Sequence, residues 1–576
     1  MADKDKIRAA INEGDYKKAA ELLREYISEP DRYDDEIAIF HAAIGEHSGN
    51  RESMWEAIRR GLFINFKNYE LYVMLGNYYL CENMQKSWLC YENALFYCDN
   101  PEDREEIEGL MGQLETEYGI FVNKAAIVIL SYNQLKYTKG CVESIRQTIP
   151  ESAREIIVVD NASEDESVKW LREQADVILI ENEKNLGFPA GCNQGILAAS
   201  GESDIFLLNN DTILPENALF WLRMGLYDRE DNGAVGSVSN AASEQTVIDG
   251  SHTVEELLDF GRRTNIPAKY PYEARVSLVG FALLIRRRAL EQVGLLDERF
   301  SPGNCEDIDY GLRILNAGYR NVLCKNSFIL HFGGGSFGRN ESYWTLLKEK
   351  QRMLNEKWGF RVLPRETDRL MEHAQEAAEK PLRILHIGCG AGDTLGYSGG
   401  LYPNAKLYGI EKDPKAAQMA SHMGIVVCGD VEKMEFPWEK GFFDYVLMGH
   451  VLEQCRNPEA ALKKIRGYLK EGGYLIANVF NVVHYPVMIP LLLQDRFSYE
   501  GWGILSRENL KFYTGTEIAG IIRESGYKEM EMFSRQTLPE ALEEREKEVI
   551  NRLTELMGED CREPLQTYEY IVKAAK

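Results

Sequence analysis

Two asparagines and an aspartate directly follow an apolar run near the middle of the chain. Residues from Ile205 to Leu208 are all apolar, and Asn209, Asn210 and Asp211 come next. The run predicts a buried strand that ends in a carboxylate. Ligands of open α/β sheets bind beyond the carboxyl ends of the strands, so Asp211 would stand where a metal ion or a phosphate binds.

A second pattern with chemical potential lies in the last third of the chain. A strand-like run leads into a turn that contains Gly388, Gly390 and Gly392. Such a turn alone is a weak signal for a dinucleotide-type cofactor. A further apolar run ends in Glu411, nineteen residues beyond Gly392, where an acid is expected to hold ribose hydroxyls. Together they predict a nucleoside-containing cofactor.

The residues around Asp211 alternate between strand and helix patterns. Strands are predicted at 127–130, 155–160, 176–181 and 205–208, with an amphipathic helix at 137–148. Parallel strands bring their carboxyl ends to one rim, so the polar residues that end these strands should meet there. Asp160, which ends the second strand, could accept hydrogen bonds from a uracil or thymine ring.

A glycine-punctuated loop follows the third strand. It runs from Asn185 to Asn193 and contains Gly187 and Gly191. Glycine lets backbone approach a ligand closely, so this loop is expected to line the same rim.

The first 121 residues predict helical repeats. Segments starting at Gly14, Gly49 and Glu82 resemble one another and begin 35 and 33 residues apart. These spacings bracket the 34-residue period of tetratricopeptide helix pairs. The stretch Leu75-Gly-Asn-Tyr-Tyr79 resembles the first-helix pattern of that family. Stacked repeats form a groove that commonly holds an extended peptide. The alternative, that they only brace the next domain, stays open.

Composition excludes some classes of protein. Lys and Arg number 66 against 91 Asp and Glu, and the net charge of -25 argues against a nucleic-acid partner. No run approaches the length of a membrane span, and the first residues contain no apolar signal-peptide core. Eleven cysteines without a Cys-x-x-Cys pair predict reduced, mostly buried thiols. These features predict a cytoplasmic protein without a transmembrane segment.

A series of ordered patterns in the middle segment resembles the family-two glycosyltransferases, most closely their rhamnosyltransferase-like branch. The patterns are Ser131-Tyr-Asn, Val159-Asp-Asn-Ala-Ser, Asn185-x-Gly-Phe-x-x-Gly-x-Asn, Leu208-Asn-Asn-Asp, Val279-Gly-Phe-Ala-Leu-Leu-Ile-Arg286, Glu306-Asp-Ile-Asp309 and His331. The resemblance covers residues 125 to 359 and implies a GT-A fold with inverting transfer from a nucleoside-diphosphate sugar. The residues it implies for sugar-nucleotide binding are Ser131, Tyr132, Asn133, Asp160, Asn161, Asn185, Gly187, Phe188, Asn193, Asn209, Asn210, Gly280 and Phe281.

The resemblance also implies a divalent cation. Mg²⁺ or Mn²⁺ would neutralise the diphosphate leaving group, with Asp211 as its ligand and His331 as a second one. The family usually has an acid where this chain has Asn209, so metal binding before donor binding should be weak. A run of three glycines after Phe332 is expected to form a loop that closes over the donor.

Asp307 matches the family's catalytic base at a predicted helix start. Glu306 would hold the acceptor or orient Asp307, and Asp309 falls on the other side of the helix. The alternative is an acidic cluster stabilised by the helix dipole. Arg286 to Arg288 are predicted to form mainly a solvated turn, with one arginine near phosphate.

The last segment, from residue 381, resembles class I S-adenosylmethionine-dependent methyltransferases. The resemblance places the methionine end of the cofactor at Gly388, Gly390 and Gly392, the ribose at Glu411 and the adenine edge at Asp430. His386 replaces the motif's usual acid. Gln454 and Asn509 replace two histidines, and neither can take a proton at neutral pH. The domain is therefore either an active methyltransferase or one that only binds ligands.

The predicted fold class is multidomain: all-α repeats at 1–121, a GT-A α/β domain at 122–360, a helical linker at 361–380 and a Rossmann-like methyltransferase domain at 381–576. The predicted function is metal-dependent transfer from a UDP- or dTDP-sugar to a protein or glycan acceptor, such as a flagellin-like surface protein, and O-methylation of the glycan. The repeats could hold that acceptor. The two alternatives are a glycosyltransferase with a degenerate methyltransferase module and a non-catalytic repeat scaffold.

Overall fold

The structure is a computed structural model of the full chain. It describes residues 3–29, 31–248, 251–333, 341–362, 369–537, 542 and 544–576. Two compact units are present, one made of residues 1–273 and 277–354 and the other of residues 274–276 and 355–576. The loop predicted to close over the donor, with its three glycines, falls largely outside the described residues.

The first unit begins with seven helices. They are α1 (Lys4–Asn12), α2 (Tyr16–Ile27), α3 (Asp35–His47), α4 (Arg51–Ile64), α5 (Tyr69–Tyr79), α6 (Met84–Tyr97) and α7 (Pro101–Tyr118). The N-cap residues of α2, α4 and α6 are Asp15, Asn50 and Asn83, and each side chain accepts a backbone N–H of the first turn. These helix starts coincide with the three similar sequence segments, so the predicted helix pairs are confirmed as helices. Their membership of a repeat family stays a prediction.

Helix α6 packs against the α/β part of the same unit. Its Glu92 forms a buried ion pair with Arg223, and its Lys86 lies 2.8 Å from Asp228. The amide of Asn83 donates to the Tyr227 carbonyl over 2.8 Å. One hydrophobic core runs from the helices into the sheet. The helices therefore do brace the next domain, as one of the two alternatives held.

Among the described residues, the α/β part of the first unit has ten strands and eight α-helices, the last of which continues past the end of the unit at Leu354. The strands are β1 (Ala125–Ser131), β2 (Arg154–Asp160), β3 (Val177–Glu181), β4 (Asp204–Asn209), β5 (Thr212–Ile213), β6 (Asn232–Val238), β7 (Tyr272–Arg275), β8 (Ala282–Ile285), β9 (Arg320–Phe328) and β10 (Leu330–His331). The helices are α8 (Leu135–Thr148), α9 (Ser167–Arg172), α10 (Phe188–Ala198), α11 (Ala218–Leu226), α12 (Val254–Thr264), α13 (Arg287–Val293), α14 (Glu306–Asn316) and α15 (Glu341–Trp358).

The eight-stranded sheet has the order β3-β2-β1-β4-β8-β6-β9-β7. Strands β1 to β4 are mutually parallel, and their last residues lie in register, with Ser131 opposite Asp160 and Leu130 opposite Asn209. The predicted common rim is therefore confirmed. The small antiparallel pair of β5 and β10 sets His331 opposite Thr212, which brings a late histidine to this rim.

The second unit has a seven-stranded sheet of order β13-β12-β11-β14-β15-β17-β16. Its strands are β11 (Arg383–Ile387), β12 (Lys406–Glu411), β13 (Ile425–Cys428), β14 (Phe443–Gly449), β15 (Leu469–Phe480), β16 (Lys528–Gln536) and β17 (Thr567–Ala575). Its helices are α16 (Asp393–Leu401), α17 (Pro414–Ala420), α18 (Pro458–Arg466), α19 (Tyr485–Gln494), α20 (Gly515–Glu524), α21 (Glu544–Met557) and α22 (Arg562–Gln566). Strands β11 to β15 are parallel and β17 is antiparallel, which confirms a Rossmann-like α/β domain.

Two local expectations are corrected. Within the described part of the predicted helical linker there is only a 3-10 helix, Leu370–Ala374, because Leu370 and Met371 are buried against the second sheet. Arg286 is buried and donates to the Leu226 carbonyl, near the starts of the parallel strands. It therefore lies far from any phosphate at the opposite rim.

None of the described helices combines the length and apolarity needed to cross a bilayer. None of the eleven cysteines forms a disulfide.

Candidate active sites

Asp211 and His331 meet beyond the end of β4. The Nε2 atom of His331 lies 3.2 Å from Oδ1 of Asp211, and both side chains are nearly buried. The pairing of β5 with β10 brings them together, since Thr212 and His331 are opposite one another. The structure thus joins two predicted metal ligands that are 120 residues apart in the sequence.

The surroundings of His331 determine its protonation. Its Nδ1 atom lies 2.6 Å from the Ala241 carbonyl, and its ring stacks on Phe281 at 5.1 Å between centroids. Burial lowers the pKa of His331, but the hydrogen bond and the charge of Asp211, with the Ala241 carbonyl, outweigh burial and raise the pKa above its ordinary value. The Ala241 contact implies that Nδ1 carries a proton, which leaves Nε2 directed at Asp211.

The two asparagines before Asp211 have separate partners. The Asn209 amide lies 3.4 Å from Nε2 of His331, and the Asn210 amide donates to Thr138 over 3.0 Å. Neither side chain supplies a second carboxylate. Among the described residues no group of three or more His, Cys, Asp or Glu side chains could hold a metal ion.

The residues present fit a weakly held divalent cation. Asp211 supplies an oxygen and His331 a nitrogen at one point, and both ligand types suit Mn²⁺. A site with two protein ligands needs the phosphates of a substrate to complete its coordination.

The ends of β1 and β2 form one polar corner. Both oxygens of the Asp160 carboxylate hold Ser163, through its backbone N–H at 2.8 Å and its hydroxyl at 2.6 Å. The Ser163 hydroxyl in turn accepts the Asn133 N–H over 2.7 Å. Ser131 is buried and its hydroxyl contacts Thr138 at 3.1 Å, while Tyr132 is exposed at the rim. The carboxylate of Asp160 is thereby fixed, and each of its oxygens keeps acceptor capacity.

The glycine-punctuated loop is held by amide contacts. Asn161 donates to Asn185 at 3.2 Å and to the Gly187 carbonyl at 3.3 Å. Gly187 has a φ of 83°, and a Cβ atom there would lie 2.7 Å from Pro302, so only glycine fits. Phe188 donates its N–H to the Pro302 carbonyl over 2.8 Å.

Asn193 has partners away from the rim. Its amide donates to the Leu296 carbonyl at 3.0 Å and to Glu298 at 2.9 Å, and its oxygen accepts the Leu296 N–H. These contacts occupy both ends of the amide and give Asn193 a structural role in place of the substrate-binding role expected from its motif.

Two consecutive residues, Gly280 and Phe281, link Asp307 to the pair of predicted metal ligands. The Gly280 N–H donates to Oδ2 of Asp307 over 3.0 Å, and the Phe281 carbonyl accepts the Asn209 N–H over 2.8 Å. Phe281 also carries the ring that stacks on His331. The predicted base and the predicted metal ligands are therefore neighbours in space.

The acids around Asp307 differ in their surroundings. Asp307 and Glu306 begin α14, and Glu306 is mostly buried. Asp309 is fully buried and lies 2.9 Å from Arg313, so it serves the helix and the core.

The second unit has a cavity of about 490 Å³ at the carboxyl ends of β11, β12 and β14. Gly388 and Gly390 line it, with φ values of 70° and 54°. A Cβ atom at Gly388 would also lie 2.6 Å from Val451. Gly392 does not line the cavity; it packs against Ala420 and Met423.

Two acids line this cavity where a nucleoside is expected. Glu411 accepts the backbone N–H groups of Gly390 and Asp413, each at 2.9 Å, and keeps acceptor capacity for hydroxyls. The hydrogen bond from Lys433, at 2.9 Å, lowers the pKa of Asp430. The glycine turn and the carboxylates of Glu411 and Asp430 together fit S-adenosylmethionine.

Sequence reasoning missed His450 as a cavity residue. It follows β14, stacks on Phe480 at 3.7 Å between centroids and lies 3.0 Å from Glu569. Burial raises the pKa of Glu569, but the His450 and Arg535 contacts more than compensate, so the pKa is lowered. Its position at a strand end was a usable signal, whereas Glu569 comes from the far end of the chain.

The residues that replace the family's usual side chains have different hydrogen-bond partners. Gln454 lines the cavity and accepts a hydrogen bond from Lys412 at 2.8 Å. Asn509 is buried and donates to the carbonyls of Gly503 and Ile504. His386 is buried at the cavity wall, and neither of its ring nitrogens has a hydrogen-bond partner in the described part of the chain.

Two separate parts of the chain match models of known protein families. Residues 126–294 match the model of glycosyl transferase family 2, and residues 385–477 match the model of a methyltransferase domain. The first unit thus contains a family-two glycosyltransferase domain and the second a methyltransferase domain, which confirms these two resemblances at the level of the domain family. The rhamnosyltransferase-like branch stays a prediction. Neither match includes the N-terminal helices.

Three relatives are similar in part. A poly(ribitol-phosphate) beta-glucosyltransferase of Bacillus spizizenii is 33% identical over 19% of this chain and 18% of its own length. Glycosyltransferase AglE of Haloferax volcanii is 28% identical over 34% of this chain and 62% of its own. The uncharacterized glycosyltransferase YwdF of Bacillus subtilis is 28% identical over 42% of this chain and 86% of its own. The chain therefore spans less than two thirds of the first two relatives.

A solved S-adenosylmethionine-dependent methyltransferase from Archaeoglobus fulgidus is 16% identical, covering 41% of this chain and all of that one, with a TM-score of 0.28.

Proposed function

We propose that the first unit is an inverting glycosyltransferase that uses a UDP- or dTDP-sugar and a divalent cation. The observation that carries this proposal is the arrangement of Asp307 beside the Asp211 and His331 pair, joined through Gly280 and Phe281. A carboxylate next to a cation site is what inversion needs, because proton removal and leaving-group stabilisation occur on opposite sides of the sugar carbon.

Each residue of this site has a proposed role. Asp307 takes the proton of the acceptor hydroxyl, and the N–H groups of Gly280 and Ile308, at 3.0 and 2.8 Å, orient its carboxylate. Asp211 and His331 hold the cation, which when bound neutralises charge on the departing diphosphate. Asp160, fixed by Ser163, accepts hydrogen bonds from the nucleobase.

The test is hydrolysis and transfer with a panel of UDP- and dTDP-sugars in Mn²⁺ and in Mg²⁺. Asp211→Ala is expected to abolish both reactions. Asp307→Asn is expected to reduce transfer by about 10³-fold with donor binding intact, a loss typical of removing a catalytic base. Glu164→Gln, an exposed acid of the same part of the chain, is the matched control. Unchanged transfer by Asp307→Asn would remove Asp307 as the base.

The methyltransferase domain is proposed to O-methylate the glycan. S-adenosylmethionine, when bound, supplies a methyl group on a positively charged sulfur. Glu411 would hold the ribose, Asp430 the adenine edge, and the backbone at Gly388 and Gly390 the methionine end. His450 supplies the imidazole that Gln454 and Asn509 do not, and an imidazole beside a carboxylate can take the proton of a hydroxyl.

A degenerate, ligand-binding domain is the second candidate, because Gln454 and Asn509 cannot act as bases. The two are separated by S-adenosylmethionine calorimetry and by mass analysis of glycan products. Methyltransferase activity is supported if Glu411→Ala abolishes S-adenosylmethionine binding and if the glycan product gains about 14 mass units, the mass of one added CH₂ group. Binding without any methylated product on a panel of glycosides favours the degenerate module.

The acceptor is proposed to be a protein or its glycan, in the cytoplasm. The eleven cysteines form no disulfide, which supports a reducing compartment. The packing of α6 on the glycosyltransferase domain supports a bracing role for the helices, so a peptide-holding role requires another helical face. Side chains on such a face can be substituted and glycosyl transfer measured. If transfer to a protein is lost while transfer to a free glycoside is kept, that face binds the acceptor.

A further inference from the structure

The segment between β15 and α20 exposes large apolar side chains. Trp502 is 39% exposed and Tyr499 is 49% exposed. The others are Leu491, Leu492, Leu493, Phe497 and Leu510, between 38% and 58% exposed. Single exposed apolar residues are ordinary, but a concentration of this kind within about twenty residues indicates a binding surface.

Three aromatic rings of this segment support one another. Phe497 lies 5.7 Å from Tyr499 and 5.8 Å from Phe512, and Tyr499 lies 6.3 Å from Phe512, all between ring centroids. Mutual packing at these distances restricts ring rotation. The rings of Phe497 and Tyr499 are nearly perpendicular, at 89°, so these two pack edge to face and the three rings do not share one flat surface.

One exposed aromatic residue of this segment, Trp502, belongs to the wall of the cofactor cavity. Trp502 lines the cavity and lies 6.3 Å from Phe480, the ring on which His450 stacks. Glu508 lines the same wall, with Arg361 at 3.9 Å. The outer part of the cavity thus combines aromatic faces with a carboxylate and a guanidinium, whereas its inner part consists of the glycine turn and the nucleoside acids.

We propose that the Trp502 ring, at the outer wall of the cavity, is the platform on which a sugar ring of the methyl acceptor stacks. The proposal rests on the proposed glycan O-methylation and specifies its acceptor class. A pyranose has an apolar C–H face and a rim of hydroxyls. The Trp502 ring face complements the first, and Glu508 with Arg361 can hydrogen-bond neighbouring hydroxyls.

A lipid chain fits this surface less well. An alkyl chain forms no hydrogen bonds, so it would cover Glu508 and Arg361 without replacing their water, which costs free energy. The net charge of -25 also opposes attachment to an anionic membrane surface. A sugar satisfies both the apolar and the polar parts of the wall.

The test uses the full chain with S-adenosylhomocysteine present and methyl hexosides as probes, observed by saturation-transfer NMR. Trp502→Ala is expected to weaken sugar binding about five- to tenfold, and Trp502→Phe to retain most of it, because stacking survives. Leu556→Ala, at a side chain 83% exposed on α21, is the control. Calorimetry with S-adenosylhomocysteine checks that each variant keeps its cofactor site.

The outcomes separate this inference from the proposed function. Saturation that reaches only the alkyl protons of an octyl glycoside, or sugar binding that Trp502→Ala leaves unchanged, overturns the sugar platform. S-adenosylmethionine binding and nucleotide-sugar hydrolysis, measured on the same variants, report on the two domains. Both measurements are independent of the sugar platform, because Trp502 is not a proposed metal ligand, catalytic base or nucleoside ligand.

Discussion

At the scale of residues, the proposed metal site has one carboxylate and one imidazole. Asn209 occupies the position where an acid would complete the pair, and its amide instead lies 3.4 Å from Nε2 of His331. Asp211 is therefore expected to hold a cation only with the phosphates of the donor.

Mn²⁺ and nucleoside diphosphate should accordingly bind together. With saturating UDP or dTDP, the Mn²⁺ affinity is expected to rise at least about tenfold, since the phosphates add oxygen ligands. Titration followed by electron paramagnetic resonance of free Mn²⁺ measures this, and Asp211→Asn is expected to remove the increase. Equal affinity with and without the diphosphate would contradict a shared site.

His386 makes the stability of the second unit depend on pH. Burial lowers its pKa to about 4, while the unfolded chain has an ordinary histidine. Between these values the unfolded state binds more protons, so stability is lost as the pH falls through this window. Between pH 7 and pH 5, His386 alone should lower the free energy of unfolding of the second unit by about 2 kcal/mol.

The measurement is urea unfolding of the second unit's transition at pH 7 and at pH 5, without cofactor. His386→Gln is expected to reduce the slope without removing it, because burial lowers the pKa of His484 to about 4 as well. An unchanged pH dependence in His386→Gln would show that this imidazole is accessible to protons in the folded state.

At the scale of elements, the contact of α6 with α11 joins the helices to the α/β fold. The buried ion pair of Glu92 and Arg223 and the amide contacts of Asn93 and Tyr97 with Asn217 lie on this contact. Arg223 also donates to the Asn123 carbonyl at 2.9 Å, next to the first strand. Removing one partner leaves the other charge buried and uncompensated.

Glu92→Gln should therefore destabilise the first unit by about 3–5 kcal/mol, and Glu92→Leu combined with Arg223→Met by clearly less. Denaturant unfolding of the first unit measures both. Glu56→Gln, which removes an exposed pair with Arg59, is the control and should cost less than about 1 kcal/mol. A double variant as unstable as the single one would show that lost packing, not an orphaned charge, dominates.

At the scale of the whole molecule, the chain consists of two compact units, each with its own sheet and core. Each is expected to unfold with its own ligand dependence, because ligand binding stabilises only the unit that holds the ligand. This separation is testable without knowing the acceptor.

Thermal unfolding should show two transitions. S-adenosylhomocysteine at about 100 times its Kd is expected to stabilise one of them by about 2.7 kcal/mol, and UDP with Mn²⁺ the other. Differential scanning calorimetry measures this, and Glu411→Ala should cancel only the first effect. A single transition that both ligands shift equally would contradict independent units.

Much of this organisation is local and was readable from the sequence. The strands that end at Ser131, Asp160 and Asn209 follow from apolar runs bounded by polar residues, and the positive φ values of Gly388 and Gly390 follow from glycine spacing. Local patterns of this kind are set by side-chain burial and backbone sterics within a few residues.

Contacts between distant residues required the tertiary structure. Pairing of β5 with β10 places His331 on Asp211, Gly280 and Phe281 link Asp307 to that pair, and β17 brings Glu569 to His450. Sequence motifs also suggested a substrate role for Asn193, which instead fixes a loop, and a solvated Arg286, which is buried. Such partners are chosen by sheet order and packing across hundreds of residues, which no local pattern encodes.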